Sequence, residues 1–341
     1  MLTLALAGCS SGNKAGTAPD SGEQAPIYVS DERGDSVVVI DATTGAAIRR
    51  IRAGVRPRGI RLSSNGATLY VAVSGSPIGG PGVDESTLPP ADHGRDGIAV
   101  IDTASGTVQR VLKAGNDPES FALTPDGTAL LVSNEDASSV SIVDPAGRRA
   151  IRSISVGEQP EGVATTRDGK LVYVACEGSD AVMAFNLANQ RQVATIALAG
   201  RPRTLLASAD GRYIYVAVEN AGKLAIIDAA TGRLVRTIDL ARGEADIRPM
   251  GLVEPAGGRT IFVTTGRAGS VMEVDPNAGR IVRTIAKVGA RPWGIAATAD
   301  GATLVTANGP SGDISLINRA SGVVRTRFKV GTGPWGVTVP S

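Results

Sequence analysis

A Gly-x-x-Pro motif or a near equivalent recurs seven times, ending at Pro57, Pro118, Pro160, Pro202, Pro249, Pro292 and Pro334, at spacings of 61, 42, 42, 47, 43 and 42 residues. A period near 40 residues is that of one supersecondary unit stacked on its own copies. An Asp or Asn before a short turn recurs in step, at Asp41, Asp102, Asp144, Asn186, Asp228, Asp275 and Asn318, and five of these have a Gly four residues on. Two independent markers count to the same seven.

Within a repeat the hydrophobic pattern is that of strands. The fourth repeat reads Arg203 to Ala207, a turn at Ala209-Asp210-Gly211, Tyr213 to Val218, a loop, Leu224 to Asp228, a Thr231-Gly232 turn and Leu234 to Leu240. Four short antiparallel strands joined by Gly and Asp turns make a propeller blade. The pattern starts and stops out of phase: residues 27 to 52 supply strands two to four of a blade, and residues 334 to 340 supply only a first strand. The two ends complete one blade, which removes exposed sheet edges. The sequence thus predicts an all-β fold, a seven-bladed β-propeller over residues 27–341 closed by a composite blade. The first whole repeat is 19 residues longer than the commonest spacing of 42, and the excess falls in a Gly/Pro-rich loop, Ser74 to Asp96, which carries His93. Loops of this length in compact domains are usually functional or disordered.

Composition narrows the chemistry. With 43 Gly and 19 Pro against 2 Trp, 5 Tyr and 4 Phe, the chain is turn-dense and poor in aromatics. Lys and Arg number 35 and Asp and Glu 33, a net charge of +2 that lacks the basic footprint of a nucleic-acid binder. One His, His93, and two Cys, Cys9 and Cys176, exclude a His-rich zinc site, a bis-His haem and a CxxCH haem attachment. No Ser-His-Asp order, phosphate loop or Rossmann fingerprint is present, since the glycines sit at hairpin turns.

The apolar start and Leu6-Ala7-Gly8-Cys9 look like a lipobox, although only eight residues precede Cys9 and none is Lys or Arg. Residues 1–9 are read as a truncated lipoprotein signal with Cys9 as the lipidated residue, and 10–26 as a flexible tether. The expectation is an exported, lipid-anchored protein, periplasmic or at the cell surface, touching the membrane only through that lipid.

Tyr70-Val71-Ala72-Val73, Tyr173-Val174-Ala175-Cys176 and Tyr215-Val216-Ala217-Val218 resemble the name motif of the YVTN family of seven-bladed propellers, though no blade spells it in full. Arg56-Pro57-Arg58-Gly59, Asp117-Pro118-Glu119-Ser120-Phe121, Asn134-Glu135-Asp136, Pro160-Glu161-Gly162 and two Pro-Trp-Gly triplets are similar to exported propellers associated with PQQ-dependent catabolism. The resemblance implies the fold and an association with periplasmic oxidation, without a bound cofactor. PQQ-dependent dehydrogenases themselves are similar to eight-bladed propellers with vicinal cysteines, which this chain lacks.

Loops entering strand one and joining strands two and three meet at one mouth of a propeller channel, the default place for a ligand. The residues after the repeat prolines are Arg58, Glu119, Glu161, Arg203, Met250, Trp293 and Trp335; those after strand two are Glu32, Ser74, Glu135, Glu177, Glu219, Gly266 and Gly309. Asn134 and Asn308 stand one position earlier. The candidate site is Arg58, Glu119, Glu161, Arg203, Trp293, Trp335, Asn134, Glu135, Glu177 and Asn308: tryptophans to stack on an apolar or cationic group, Glu and Arg to fix a polar one. The competing assignment pairs Arg58 with Glu119 and Arg203 with Glu161 and wedges the tryptophans between blades. Glu119, Glu135, Glu161, Glu177 and Asn134 also carry the oxygen donors that Ca²⁺ takes, without a local Asp/Asn-rich loop. His93 is expected to be solvated, and Cys176 a small buried hydrophobe.

The leading expectation is a monomeric, non-enzymatic binding or scaffold module whose small-molecule or protein partner docks at the mouth, with no cofactor and no nucleic acid. A metal-dependent lactonase or lyase using the mouth carboxylates is the alternative, and an accessory role in PQQ-linked oxidation the third.

Overall fold

The protein is described by a computed structural model, which covers residues 25–79, 84–149 and 151–340. Cys9 and the tether as far as residue 24 lie outside the described residues. Seven four-stranded antiparallel sheets form the body, with no α-helix among the described residues. Six blades are continuous in sequence. Blade one, for example, is built from Ile60–Leu62, Thr68–Val73, Gly97–Asp102 and Thr107–Leu112. The seventh joins Pro334–Thr338 to Ile27–Asp31, Ser36–Ile40 and Ala47–Arg52. The all-β seven-bladed propeller with a composite closing blade is therefore the fold.

Closure is sealed twice. Tyr28 pairs with Thr338 and Val29 with Val337 across the seam. The buried Asp31 carboxylate accepts the Gly333 and Thr332 backbone N–H groups at 2.7 and 3.0 Å.

Strand sequences follow their depth in the blade. Second and third strands are covered on both faces by neighbouring blades, so they read as unbroken apolar runs such as Leu171–Cys176, buried from Val172 onward. Outer strands alternate: Val324–Lys329 is half-buried at every other residue. The core is correspondingly seven interblade layers, one between each adjacent pair. Blades three and four share Tyr173, Val182, Leu205, Ile214 and Val216. Blades five and six share Phe262, Ile285, Ile295 and Leu304. Each such side chain contributes roughly 1.5–3 kcal/mol on burial, so the ring is held by its interfaces.

Cys176 lies wholly inside the layer between blades two and three, and burial pushes its thiol up to about 11, leaving it an inert hydrophobe.

Candidate functional site

The repeat motif builds the mouth through two local distortions. The residue before the repeat proline takes left-handed backbone in five blades: Arg56, Asp117, Gln159, Arg201 and Arg291, with φ between 48 and 67°. For a non-glycine residue this costs about 1–2 kcal/mol, and a following proline restricts the position further. After the proline, strand one slips its register against strand two, as between Pro160 and Val163, Pro202 and Leu205, and Pro292 and Ile295. Such bulges re-aim a side chain, here Glu161, Arg203 and Trp293. Hydroxyls of the preceding blade then fix these residues by their carbonyls: Ser30 Oγ donates to Arg58 O at 2.6 Å, Ser133 Oγ to Glu161 O at 2.5 Å, and Thr264 Oγ1 to Trp293 O at 3.0 Å.

A Gly two residues past the proline recurs for a steric reason. At Gly294 an added Cβ would come within 2.7 Å of the Trp335 carbonyl, and at Gly336 within 2.7 Å of the Arg58 carbonyl. First strands approach too closely around the channel for a side chain there.

The resulting cavity holds about 710 Å³, inside the range of drug-sized ligand sites. Of the residues expected there from sequence, Arg58, Glu135, Glu161, Glu177, Arg203, Trp293 and Trp335 are in its wall. Glu119 lies just beneath, 1% exposed and salt-bridged to Arg58. Asn134 and Asn308 are corrected: both are fully buried and turned into their own blades. Asn134 Nδ2 donates to Ser141 Oγ at 2.9 Å, and Asn308 Nδ2 to Asp313 Oδ1 at 2.8 Å and Ser315 Oγ at 3.0 Å. Both end the second strand, and with side chains alternating across a sheet the last strand residue faces the interblade layer, not the channel.

Beyond the candidate set the wall takes in Glu32, already read in the ring after strand two, and, unforeseen, all five left-handed pre-proline residues with Arg33 and Arg267. Their signal is the motif position before proline, which sequence reading passed over for the one after it. The 74–96 loop also contributes Ser76 to Gly79, Leu88, Pro89 and Ala91. It is pinned at its base by Asp96, 1% exposed, whose Oδ1 accepts Gly75 N at 2.7 Å and whose Oδ2 accepts Asp117 N at 2.9 Å. His93 Nδ1 meets the same Oδ2 at 2.7 Å, and that hydrogen bond raises the imidazole pKa.

The wall divides by charge. On blades one to four, four guanidinia interlock with carboxylates, one of them Glu32 from blade seven. Arg56 reaches Glu32 at 3.1 Å and Asp117 at 3.4 Å, and Arg58 reaches Glu32 at 3.4 Å and Glu119. Arg203 reaches Glu161 at 2.5 Å and Glu219 at 3.0 Å, while Arg201 grips Glu177 through Nη2 at 2.5 Å and Nε at 2.9 Å. The pairings Arg58–Glu119 and Arg203–Glu161 are thus those of the competing assignment, while both tryptophans remain in the cavity wall. Burial opposes ionisation of Glu161, but the Arg203 charge and hydrogen bonds from Glu177 and Arg203 prevail and hold it at about 2. Glu177 is pushed up to about 7, first by burial and then by the charge of Glu161, against the pull of Arg201 and Arg203. The two carboxyls behave as one pair that keeps a proton near neutrality.

Blades five to seven are the opposite. Arg33, Arg267 and Arg291 line the cavity, and among the described residues none has a carboxylate within salt-bridge distance. Trp293 and Trp335 stand side by side, centroids 6.4 Å apart and tilted by 56°. Arg291 lies over Trp293 at 5.5 Å and Arg58 over Trp335 at 5.2 Å. Gly309 explains the missing acid on blade six: the Trp293 ring occupies that space, 3.0 Å from where a Cβ would stand. The Trp293 indole Nε1 is buried and donates to nothing among the described residues.

Three carboxylates, Asp117, Glu119 and Glu135, each bring an oxygen within 4.8 Å of the others. The chemistry on offer is therefore a cation-seeking corner on blade two, a proton-holding pair on blade three, and an anion-seeking, aromatic arc on blades five to seven.

Solved structures share this fold at low identity. Hydrazine synthase from Kuenenia stuttgartiensis is 20% identical, with 91% of this chain and 99% of that chain covered at a TM-score of 0.73. The periplasmic gluconolactonase PpgL of Pseudomonas aeruginosa is 22% identical, covering 93% and 99% at 0.73. Dihydro-heme d1 dehydrogenase NirN, solved in complex with DHE, is 14% identical, covering 94% and 76% at 0.64. At these identities the likeness is one of fold. A search of curated proteins gave no match. The family profile described as Cytochrome D1 heme domain matches residues 91–258 and 132–334. Those matches span well over half of the chain, which therefore belongs to the cytochrome D1 heme domain family.

Proposed function

We propose that the protein is a ligand-binding propeller whose site is the channel mouth, and that its ligand is a small organic molecule bearing an anionic group and a ring or apolar body. The observation that carries this is the asymmetry of the wall. The carboxylates of blades one to four are largely consumed by buried arginines, whereas Arg33, Arg267 and Arg291 have no carboxylate within salt-bridge distance among the described residues and share the rest of the wall with two tryptophans. Repeats held only by structural needs would carry like residues at like positions.

The family name implies a haem, and the donor set does not fit one held by a protein axial ligand. Haem iron takes His, Cys, Met or Tyr. The cavity wall among the described residues contains no His, Cys or Tyr, and its one soft donor is Met250, itself 6% exposed. No step through a haem is assigned to the residues of this mouth. Nor does the mouth select a carboxylated quinone over other anionic rings.

Export fits this reading. The lipobox at Cys9 would tether the ring outside the cytoplasm, and a neighbour of the same fold is named as periplasmic.

The chain has only two Trp, and both are in the wall, so intrinsic fluorescence reports directly on the site. Titration of the purified propeller with fractionated small-molecule extract is expected to shift tryptophan emission saturably, and Trp335→Phe to remove part of the response. An unchanged spectrum across all fractions contradicts a ligand at the mouth.

A second reading is favoured by Glu161 and Glu177, a proton-holding pair open to the cavity that could transfer a proton. Neighbours named as gluconolactonases make lactone opening the reaction to assay. Turnover abolished by Glu177→Gln would support it, and turnover unaffected by that change would remove the pair from the chemistry.

A further inference from the structure

The ligand class can be narrowed from the charges that the fold leaves uncompensated, a step that rests on the channel mouth being the binding site. Around blades one and two, Asp117, Glu119 and Glu135, with Glu32 of the adjoining blade seven, have among the described residues only Arg56 and Arg58 within salt-bridge distance. Glu135 lines the cavity and has no guanidinium within salt-bridge distance among the described residues. Glu119 is 1% exposed and its Oε1 is held by Arg58 Nη1, so it serves as a buried, paired floor to this corner, while Oε2 accepts no hydrogen bond. Asp117 is similarly half-used: its Oδ1 takes Ser74 Oγ at 2.5 Å and Arg56, which leaves Oδ2 without either partner.

The number and kind of open acceptors suit an ammonium better than a divalent metal. Of the three clustered carboxyl groups only Asp117 and Glu135 line the cavity, and a primary ammonium, with three N–H donors, can bridge two carboxylates. Arg56 already stands 3.4 and 3.9 Å from Asp117 and Glu119 oxygens, where it would repel a doubly charged calcium ion more strongly than a singly charged ammonium.

Across the ring, on blades five and six, the imbalance reverses, with Arg267 and Arg291, and Arg33 of blade seven, unpaired among the described residues, and the tilted tryptophan pair lies in the same wall. We propose that the mouth binds a zwitterion: its primary ammonium meets Asp117 and Glu135, above the buried Glu119, its anionic end meets the arginines of blades five to seven, and its apolar or aromatic body lies on Trp293 and Trp335. A cavity of about 710 Å³ is roomy for one amino acid, so the class is a short peptide with free termini. Capture of an N-terminal amine and a C-terminal carboxylate is a known recognition mode; here the two captures sit on opposite sides of one channel.

The test is equilibrium dialysis of the whole protein against a random tripeptide library with free termini, the same library N-acetylated, the same library C-amidated, a mixture of aromatic carboxylates, and calcium chloride, with retained species identified by mass spectrometry. The free library should be retained, and acetylation should weaken retention at least tenfold. Glu135→Gln should weaken the free peptides tenfold but leave the residual binding of acetylated ones unchanged. Arg291→Gln and C-amidation should weaken the free library by similar factors. Glu135 and Arg291 are both partly exposed and neither has an ion-pair partner among the described residues, so thermal unfolding of each variant should match the parent. Equal retention of free and acetylated peptides, or of calcium alone, overturns the zwitterion. Retention of the aromatic carboxylates only, insensitive to Glu135→Gln, overturns it while sparing the mouth as an anion site. No retention of any probe overturns both.

Discussion

Blades one to four and blades five to seven present the channel with the same backbone, the same proline-led first strands and the same inward-aimed positions, yet the side chains at those positions do different work. In the first half every guanidinium of the wall is engaged: Arg56 and Arg203 each reach three carboxylates and are about one-tenth exposed. In the second half Arg267 and Arg33 are exposed and unpaired among the described residues, and Arg291 has only the face of Trp293. Burial lowers the pKa of Arg291, as expected of a guanidinium without a close counter-charge. The contrast separates charges that hold the ring from charges that wait for something else. A buried ion pair adds little over a well-packed apolar pair, but losing one partner strands the other, so the two halves should answer mutation differently.

The largest effect is expected at Arg203. Arg203→Met strands Glu161 and Glu219 and should cost about 3–5 kcal/mol in urea unfolding, whereas Arg267→Gln should stay within about 0.5 kcal/mol. Equal losses would erase the distinction.

Next comes the proton on the Glu161–Glu177 pair. Glu177 has a folded-state pKa raised to about 7, so the folded protein binds more protons than the unfolded chain between an ordinary carboxyl pKa of about 4.3 and 7. Stability should therefore fall as pH rises through that window, by about 1 kcal/mol or more, and Glu177→Gln should flatten the slope. Glu161, held low, works the other way: its contribution is present above about 4.3 and lost as pH falls toward 2. Unfolding midpoints from pH 3 to 8 resolve the two signs.

A smaller effect sharpens the aromatic side. Gly309→Ala places a methyl 3.0 Å from the Trp293 ring, which must tilt; a shift in tryptophan emission with a stability loss near 1 kcal/mol is expected, roughly the lower end for overpacking. An unaltered spectrum would mean that Trp293 is not seated as described.

The smallest effect concerns the loop. The His93 pKa is raised by its hydrogen bond to Asp96, so this clamp is complete below about 6.5 and is lost as pH climbs through the raised folded value. The side chain is 40% exposed, so global stability should hardly change, while hydrogen exchange at the Gly75 and Asp117 amides should quicken above neutrality in the wild type and at all pH values in His93→Ala.

The fold was legible because it is repetitive. Seven prolines, seven Asx turns and out-of-phase ends leave one way to close the sheets. The turn chemistry carries through to the backbone: Gly45, Gly106, Gly232, Gly279 and Gly322, four residues past an Asp or Asn, all take φ near 70°. The mouth was half legible. The ring after proline could be read because a bulge at a repeated position aims its residue the same way in blades two, three, four and six. The ring before proline could not, because Arg56, Asp117, Gln159, Arg201 and Arg291 sit in a conformation that their residue types disfavour, held there by the tertiary fold. Asn134 and Asn308 show the cost of one residue of phase: Glu135, next to Asn134, opens to the channel, while the two asparagines close back into their blades.

The most direct test of the division between holding and waiting charges is a side-by-side titration of Arg203→Met and Arg291→Gln, reading urea unfolding and free-tripeptide retention on the same preparations. Arg203→Met is predicted to lose stability by several kcal/mol, and Arg291→Gln to keep stability within about 0.5 kcal/mol while losing retention about tenfold. If Arg291→Gln instead unfolds as readily as Arg203→Met, or retains peptides as the parent does, the two halves of the mouth are not different in kind.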